Sequence, residues 1–248
     1  MPVATLKPNE RYALVGKTRS GKTALAMVIA GTFARTLPAP WEVWWLDTKN
    51  DPNDIAALRK WGFRNAVSPK DRNPDTGGLP NALYYIITSR GANNETLDVV
   101  DQAQAIFANA YDRKHVIVVV DEYVQVCPSN RNAGASLLDI FQRGGGRNVG
   151  LIGLTQEPVY VPRQLISQAT HLVILSLSFG YDIDYMRKIY REYNSPLRMG
   201  DPYGFYWGWL DGNGEWGYYK DQRKWYDTLR VAKPQTLSIN TPVKAGQS

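Results

Sequence analysis

The segment that most limits what this chain can fold into is Gly16-Lys17-Thr18-Arg19-Ser20-Gly21-Lys22-Thr23. It follows a short apolar run, Arg11 to Val15, and leads straight into a helical pattern from Lys22 to Arg35. A G-x-x-x-x-G-K-[ST] stretch between strand and helix reads as a phosphate-binding loop. Its glycines let a tight turn aim backbone N–H groups at a polyanion, and the helix that follows adds the positive end of its dipole. Gly16, Lys17, Thr18, Arg19, Ser20, Gly21, Lys22 and Thr23 are therefore expected to cradle a nucleoside triphosphate, with Lys22 on the β- and γ-phosphates and the Thr23 hydroxyl on Mg²⁺. The plain alternative, an ordinary glycine-rich turn, does not explain the strand before it and the helix after it.

The rest of the chain fits an α/β sheet. Apolar runs at Arg11 to Val15, Glu42 to Asp47, His115 to Val120, Gly150 to Thr155 and His171 to Ser176 read as buried strands of a mostly parallel sheet. Helices are expected between them, over Lys22 to Arg35, Ala133 to Arg143 and Asp182 to Tyr193. One more carries Leu97, Val100, Ile106, Phe107, Ala110 and Tyr111 on one face, with Asn94 as its cap. Residues 64–94, broken by Pro69, Pro74, Gly77, Gly78 and Pro80, read as an insertion that ends in a strand-like stretch at 82–88. The core is expected to span residues 1–200. Residues 201–232 form an aromatic β-hairpin extension around an Asp-Gly-Asn-Gly turn, and 233–248 a frayed polar tail. Ten of the twenty-four residues from Tyr203 to Tyr226 are aromatic, and at period two they are expected to pack as core.

Composition narrows the chemistry. With one cysteine, Cys127, and two histidines, His115 and His171, the chain cannot close an internal disulfide or a Cys/His zinc cluster, and a reducing cytosolic setting is expected. No stretch reaches the roughly eighteen apolar residues of a membrane span, and the first residues do not read as a secretory leader. The 248 residues carry 29 Lys+Arg against 23 Asp+Glu, a net +6 that mildly favours an acidic partner.

Two further strand ends carry candidate chemistry. The third strand ends Asp121-Glu122, at the edge where open α/β sheets bind ligands. Asp121 is placed to hold Mg²⁺, and Glu122 to polarise a water for attack on the γ-phosphate. The fourth strand ends Thr155-Gln156-Glu157-Pro158, where the Gln156 amide can touch the γ-phosphate and orient that water. Before this strand, Arg143 and Arg147 flank a Gly-Gly-Gly corner from which an arginine can enter a neighbouring subunit's site, plain surface arginines being the alternative. Thr48-Lys49-Asn50-Asp51 imitates a guanine-reading [NT]-K-x-D motif, but it precedes the acidic strand instead of following it. GTP is therefore not expected, and Asp47 and Lys49 read as strand-end residues near the nucleotide or a neighbouring subunit.

Taken in order, GxxxSGKT, a strand ending Asp-Glu, and R-x-x-G leading into a strand ending Thr-Gln-x-Pro resemble the FtsK/HerA superfamily of P-loop DNA motors over residues 10–180. The resemblance implies a RecA-like core assembled into a ring, usually a hexamer, that pumps double-stranded DNA by hydrolysing ATP with Mg²⁺. It implies Lys22 and Thr23 as phosphate and metal ligands, Asp121 and Glu122 as metal ligand and base, Gln156 as sensor, and Arg147 as the finger acting in trans. Only residues 1–10 precede the first strand, so neither an N-terminal barrel nor membrane spans are expected. With so few residues after the core, a terminase nuclease domain is not expected. A bare motor of this size is similar to the genome-packaging ATPases of membrane-containing icosahedral viruses, which implies a host-cytoplasmic protein, at times at a packaging vertex with capsid or membrane-vertex proteins as partners. The alternatives are a phage assembly or secretion factor, a chromosome or plasmid DNA pump, and a small-molecule kinase. Duplex contacts are sought on Arg187, Lys188 and Arg191, and on Lys220, Arg223 and Lys224.

Overall fold

A computed structural model describes residues 5–68, 78–89, 97–127, 129, 132–210, 215–226 and 230–231. In chain order the strands and helices are β1 (Thr5–Leu6), β2 (Arg11–Val15), α1 (Lys22–Thr36), β3 (Glu42–Asp47), α2 (Pro52–Lys60), β4 (Arg64–Asn65), β5 (Ala82–Ile86) and α3 (Val99–Arg113). There follow β6 (Val116–Val120), α4 (Ala135–Arg143), β7 (Val149–Thr155), α5 (Arg163–Ser167), β8 (His171–Ile174), α6 (Gly180–Ile189), β9 (Phe205–Trp209), β10 (Trp216–Tyr219), α7 (Gln222–Tyr226) and β11 (Arg230–Val231).

Nine strands form one sheet in the order β10-β9-β8-β2-β7-β6-β3-β5-β4. From β8 to β4 every pairing is parallel, and β9 and β10 add an antiparallel edge. The apolar runs are continuous because both faces are covered. On β6, Val116, Val118 and Val120 pack in one cluster with Ala103, Ile106, Phe107 and Ala110 of α3 and Leu137, Ile140 and Phe141 of α4. The intervening Ile117 and Val119 pack in the other, with Leu25, Ile29 and Phe33 of α1 and Leu58 of α2. This alternation places helices on both sides of the sheet and leaves the strand ends free to carry polar groups.

The hairpin continues this sheet. Phe205 and Trp207 enter the α1 side with Trp225, and Tyr206 enters the opposite side. Tyr190 stacks on Trp216 at 4.3 Å, so aromatic packing fixes the hairpin, as its period-two pattern predicts. Its turn (211–214), residues 69–77 and 90–96, and the tail from 232 onward lie outside the described residues.

Three local expectations change. Ala82–Ile86, inside the stretch read as an insertion, is a strand of the main sheet, registered residue for residue against Val43–Asp47. Its flanking prolines and glycines mask a β-rich core whose partner lies far back in sequence. The cap of α3 is Asp98, whose carboxylate accepts from the N–H groups of Val100 at 2.7 Å and Asp101 at 3.1 Å; Asn94 lies outside the described residues. An unforeseen helix, α2, starts at Asp51-Pro52. The Asp51 carboxylate accepts from the Asn53 N–H at 2.8 Å and the proline occupies the first turn, so the aspartate of the guanine-like motif is a helix cap.

Candidate active site

Because β2, β6 and β7 are parallel neighbours, their carboxyl ends at Val15, Val120 and Thr155 open on one edge. The glycine-rich loop is stapled along that edge: the Gly16 N–H donates to the Thr155 carbonyl at 3.1 Å and the Lys17 N–H to the Ser176 carbonyl at 2.8 Å. Position 16 admits no side chain, since a Cβ there would lie 2.8 Å from the Leu175 Cβ. Gly21, with φ +92°, turns the chain into α1 through a left-handed conformation. The first intrahelical bond runs from the Leu25 N–H to the Gly21 carbonyl at 2.9 Å, so the N–H groups from Gly21 to Ala24 have no acceptor within the helix. Ser20 is buried, Thr18 and Arg19 are exposed, and Lys17 is half-buried.

Lys22 is buried, and its ammonium donates to the Lys17 carbonyl at 3.0 Å. Burial pulls its pKa down to about 8, against the attraction of Glu122 and Asp121. The Thr23 hydroxyl donates to Asp121 Oδ1 at 3.1 Å, and the other oxygen of this buried carboxylate lies 2.9 Å from the Lys49 ammonium. Burial works against the charge on Lys49, but Asp121 outweighs it and holds the ammonium above its ordinary value. Glu122 is also buried, which raises its pKa above the ordinary glutamate value; Gln156, Lys49 and Lys22 partly oppose the rise. Gln156 links two of these groups, accepting from the Thr18 hydroxyl through Oε1 and donating through Nε2 to Glu122 at 2.9 Å.

Lys22 and Thr23 at the start of α1 therefore meet Asp121, Glu122 and Gln156, which follow the ends of β6 and β7, at one edge of the sheet. Asp47 joins them: its Oδ1 accepts from the N–H groups of Lys49 and Asn50, each at 3.0 Å, and burial raises its pKa. Asp54 of α2 lies within electrostatic reach of Asp121 and is likewise raised, first by burial. Lys22 and Lys49 lie within electrostatic reach of both Asp121 and Glu122, and Asp47 and Asp54 within that of Asp121. The donors suit Mg²⁺: the Thr23 hydroxyl and the Asp121 carboxylate are adjacent hard oxygens. Among the described residues no group of three or more His, Cys, Asp or Glu side chains could hold a metal ion, so these two oxygens would supply only part of its coordination shell.

Two predicted residues stay away from this site. Arg143 and Arg147 bracket the turn before β7, at the opposite end of the parallel strands. Arg147 is tied within its own chain, donating from Nε to the Tyr111 carbonyl at 3.0 Å with its guanidinium 4.3 Å over the Tyr111 ring. Arg143 is largely exposed and, among the described residues, pairs with Asp139, one turn back on α4, at 3.3 Å. Sequence reasoning missed the Lys49–Asp121 pair, Asp54 and Gln222, whose Nε2 donates to the Ser20 carbonyl at 3.1 Å. The Asp-Pro start of α2 is the one local signal that would have oriented Asp54.

No protein-family profile matches the sequence, and no match is found among curated proteins. Solved structures do match. The genome packaging NTPase B204 from Sulfolobus turreted icosahedral virus 2, in complex with ATP-gammaS, superposes with a TM-score of 0.62 at 17% identity, over 86% of this chain and 98% of that one. Its AMP complex gives 0.60 at 17%, over 87% and 99%. The pCW3 conjugation coupling protein TcpA, with ATPgS, gives 0.54 at 12%, over 86% of this chain and 60% of TcpA. At these identities the likeness is one of fold: the chain has the α/β fold shared by a viral genome-packaging NTPase and a conjugation coupling protein, as the motif order implies.

Proposed function

We propose that this chain is an ATP-hydrolysing ring motor that moves double-stranded DNA, and that its task is to package a viral genome. The observation that carries the reading is the chain of contacts from Thr18 through Gln156 to the buried Glu122, next to Lys22 and the Thr23–Asp121 pair. The fold likeness to a genome-packaging NTPase supports the packaging task, and that to a coupling protein supports a DNA pump in general.

In this reading the loop N–H groups and Lys22 take the β- and γ-phosphates. Thr23 and Asp121 hold Mg²⁺, which supplies charge neutralisation on the triphosphate. Glu122 accepts a proton from water as its oxygen attacks the γ-phosphorus; the bond to the β–γ bridging oxygen breaks, leaving ADP and phosphate. Gln156 holds Glu122 in place and, through Thr18, ties it to the phosphate loop. Arg143, the freer of the two arginines, is the group best placed to reach another subunit's phosphates. A hexamer is the ring size the family resemblance implies.

The duplex needs a cationic face. At the opposite end of the strands, an open cleft of about 890 Å³ is lined by Arg11, Arg163 and Lys188 and, among the described residues, by no carboxylate. Lys188 is among the residues the sequence singles out for DNA. The decisive measurement is ATPase activity with and without duplex DNA at low salt, beside binding titrations over a salt series. Stimulation, with affinity falling steeply as salt rises, is expected. Duplex DNA that neither binds nor stimulates overturns the motor reading.

A further inference from the structure

The segment after the hairpin reaches back to the phosphate loop through one side chain. Gln222, the first residue of α7, is 5% exposed, and its Nε2 donates to the Ser20 carbonyl at 3.1 Å across 202 residues of sequence. The Tyr226 hydroxyl donates to Gln222 Oε1 at 3.2 Å, which fixes which end of the amide faces Ser20. Trp225, 2% exposed, anchors the turn against Phe205 at 5.4 Å and Trp207 at 4.8 Å. The amide also lies directly over Gly21, where a Cβ would come within 2.6 Å of Gln222 Oε1 and 2.7 Å of its Nε2.

In a trans peptide the carbonyl and the next N–H point opposite ways. Anchoring the Ser20 carbonyl on the Gln222 side therefore turns the Gly21 N–H the other way and fixes its direction at the start of α1, among the N–H groups without an intrahelical acceptor. We propose that Gln222 is a positioning residue for nucleotide binding: through its hydrogen bond to Ser20 it holds the Ser20–Gly21 peptide in the orientation that presents the Gly21 N–H to a phosphate. This rests on the reading of the loop as a triphosphate site. Linkage requires the reverse effect as well, so a bound triphosphate tightens α7.

The test compares wild type with Gln222→Met, which keeps the volume over Gly21 but has no donor, and with Gln222→Ala. ATP-γ-S binding by calorimetry is expected to weaken about tenfold in both variants, and the KM for ATP to rise by a similar factor while kcat changes less than about threefold. Hydrogen exchange on the unaltered chain is the second readout: residues 222–226 are expected to gain protection when ATP-γ-S is added. Gln222→Met binding as tightly as wild type, or no gain in α7 protection while wild type binds, overturns the role of Gln222 and leaves the triphosphate site standing. Failure of wild type itself to bind ATP-γ-S overturns that site, and this inference with it.

Discussion

The Lys49 ammonium lies 2.9 Å from Asp121, the same carboxylate that accepts the Thr23 hydroxyl, so Asp121 is shared between the first turn of α1 and the segment after β3. Lys49 is the ion-pair partner of this buried carboxylate, 2.9 Å from its Oδ2, and fixes where the carboxylate lies beside Thr23. Removing it leaves an uncompensated charge at a site where water cannot solvate it.

Lys49→Met is accordingly expected to lose about 2–3 kcal/mol of stability at neutral pH, somewhat less than a fully buried pair because Lys49 is partly exposed. Urea unfolding measures the loss. Millimolar Mg²⁺ is expected to recover part of it, since the cation can take the place of the ammonium beside Asp121.

Glu122→Gln keeps the shape of the site and its contact with Gln156 but cannot take a proton. ATP-γ-S affinity is expected to stay near wild type while turnover falls by about 10²–10⁴. Burial raises the Glu122 pKa above its ordinary 4.5, so the basic form is lost at a higher pH than for an exposed glutamate. As pH falls through that raised value, wild-type kcat/KM falls with it, and the limb is expected to vanish in Glu122→Gln. Wild-type turnover in the variant would remove Glu122 from the role of base.

Lys22 carries a cost in the empty site. Its folded pKa, about 8, is below its ordinary 10.5, so between these values the unfolded chain binds more protons and stability rises with pH. Below pH 8 the folded protein bears the penalty of a buried ammonium. Lys22→Met is expected to remove that pH-dependent rise and to stabilise the nucleotide-free protein at pH 7 by at most about 3 kcal/mol, while abolishing the thermal shift caused by ATP-γ-S. Denaturation of both proteins from pH 7 to 10.5 measures the difference.

The two arginines before β7 should separate. Arg147→Ala removes the contacts with the Tyr111 carbonyl and ring and is expected to lower the melting temperature, whereas Arg143→Ala leaves it within a degree or two. If Arg143 acts across subunits, mixing Arg143→Ala with Glu122→Gln protein restores ATPase activity, because some junctions then hold one intact glutamate and one intact arginine. Absence of complementation argues against a trans role for Arg143.

The sequence by itself determined the parallel sheet, the glycine-rich turn between β2 and α1 and the acidic strand end, because each is a local pattern. Apolar runs record burial on two faces, Gly16 and Gly21 record a close approach and a left-handed turn, and Asp121-Glu122 records where an apolar strand gives way to the polar edge of the sheet. Only the tertiary structure decided which polar groups meet. It paired Lys49 with Asp121, recruited β5 to the main sheet, bound Arg147 to Tyr111 and laid Gln222 on the glycine-rich loop. These contacts join segments far apart in the chain. No local periodicity encodes them; they follow from how the helices and the aromatic hairpin pack their apolar faces onto one sheet and so bring its polar ends together.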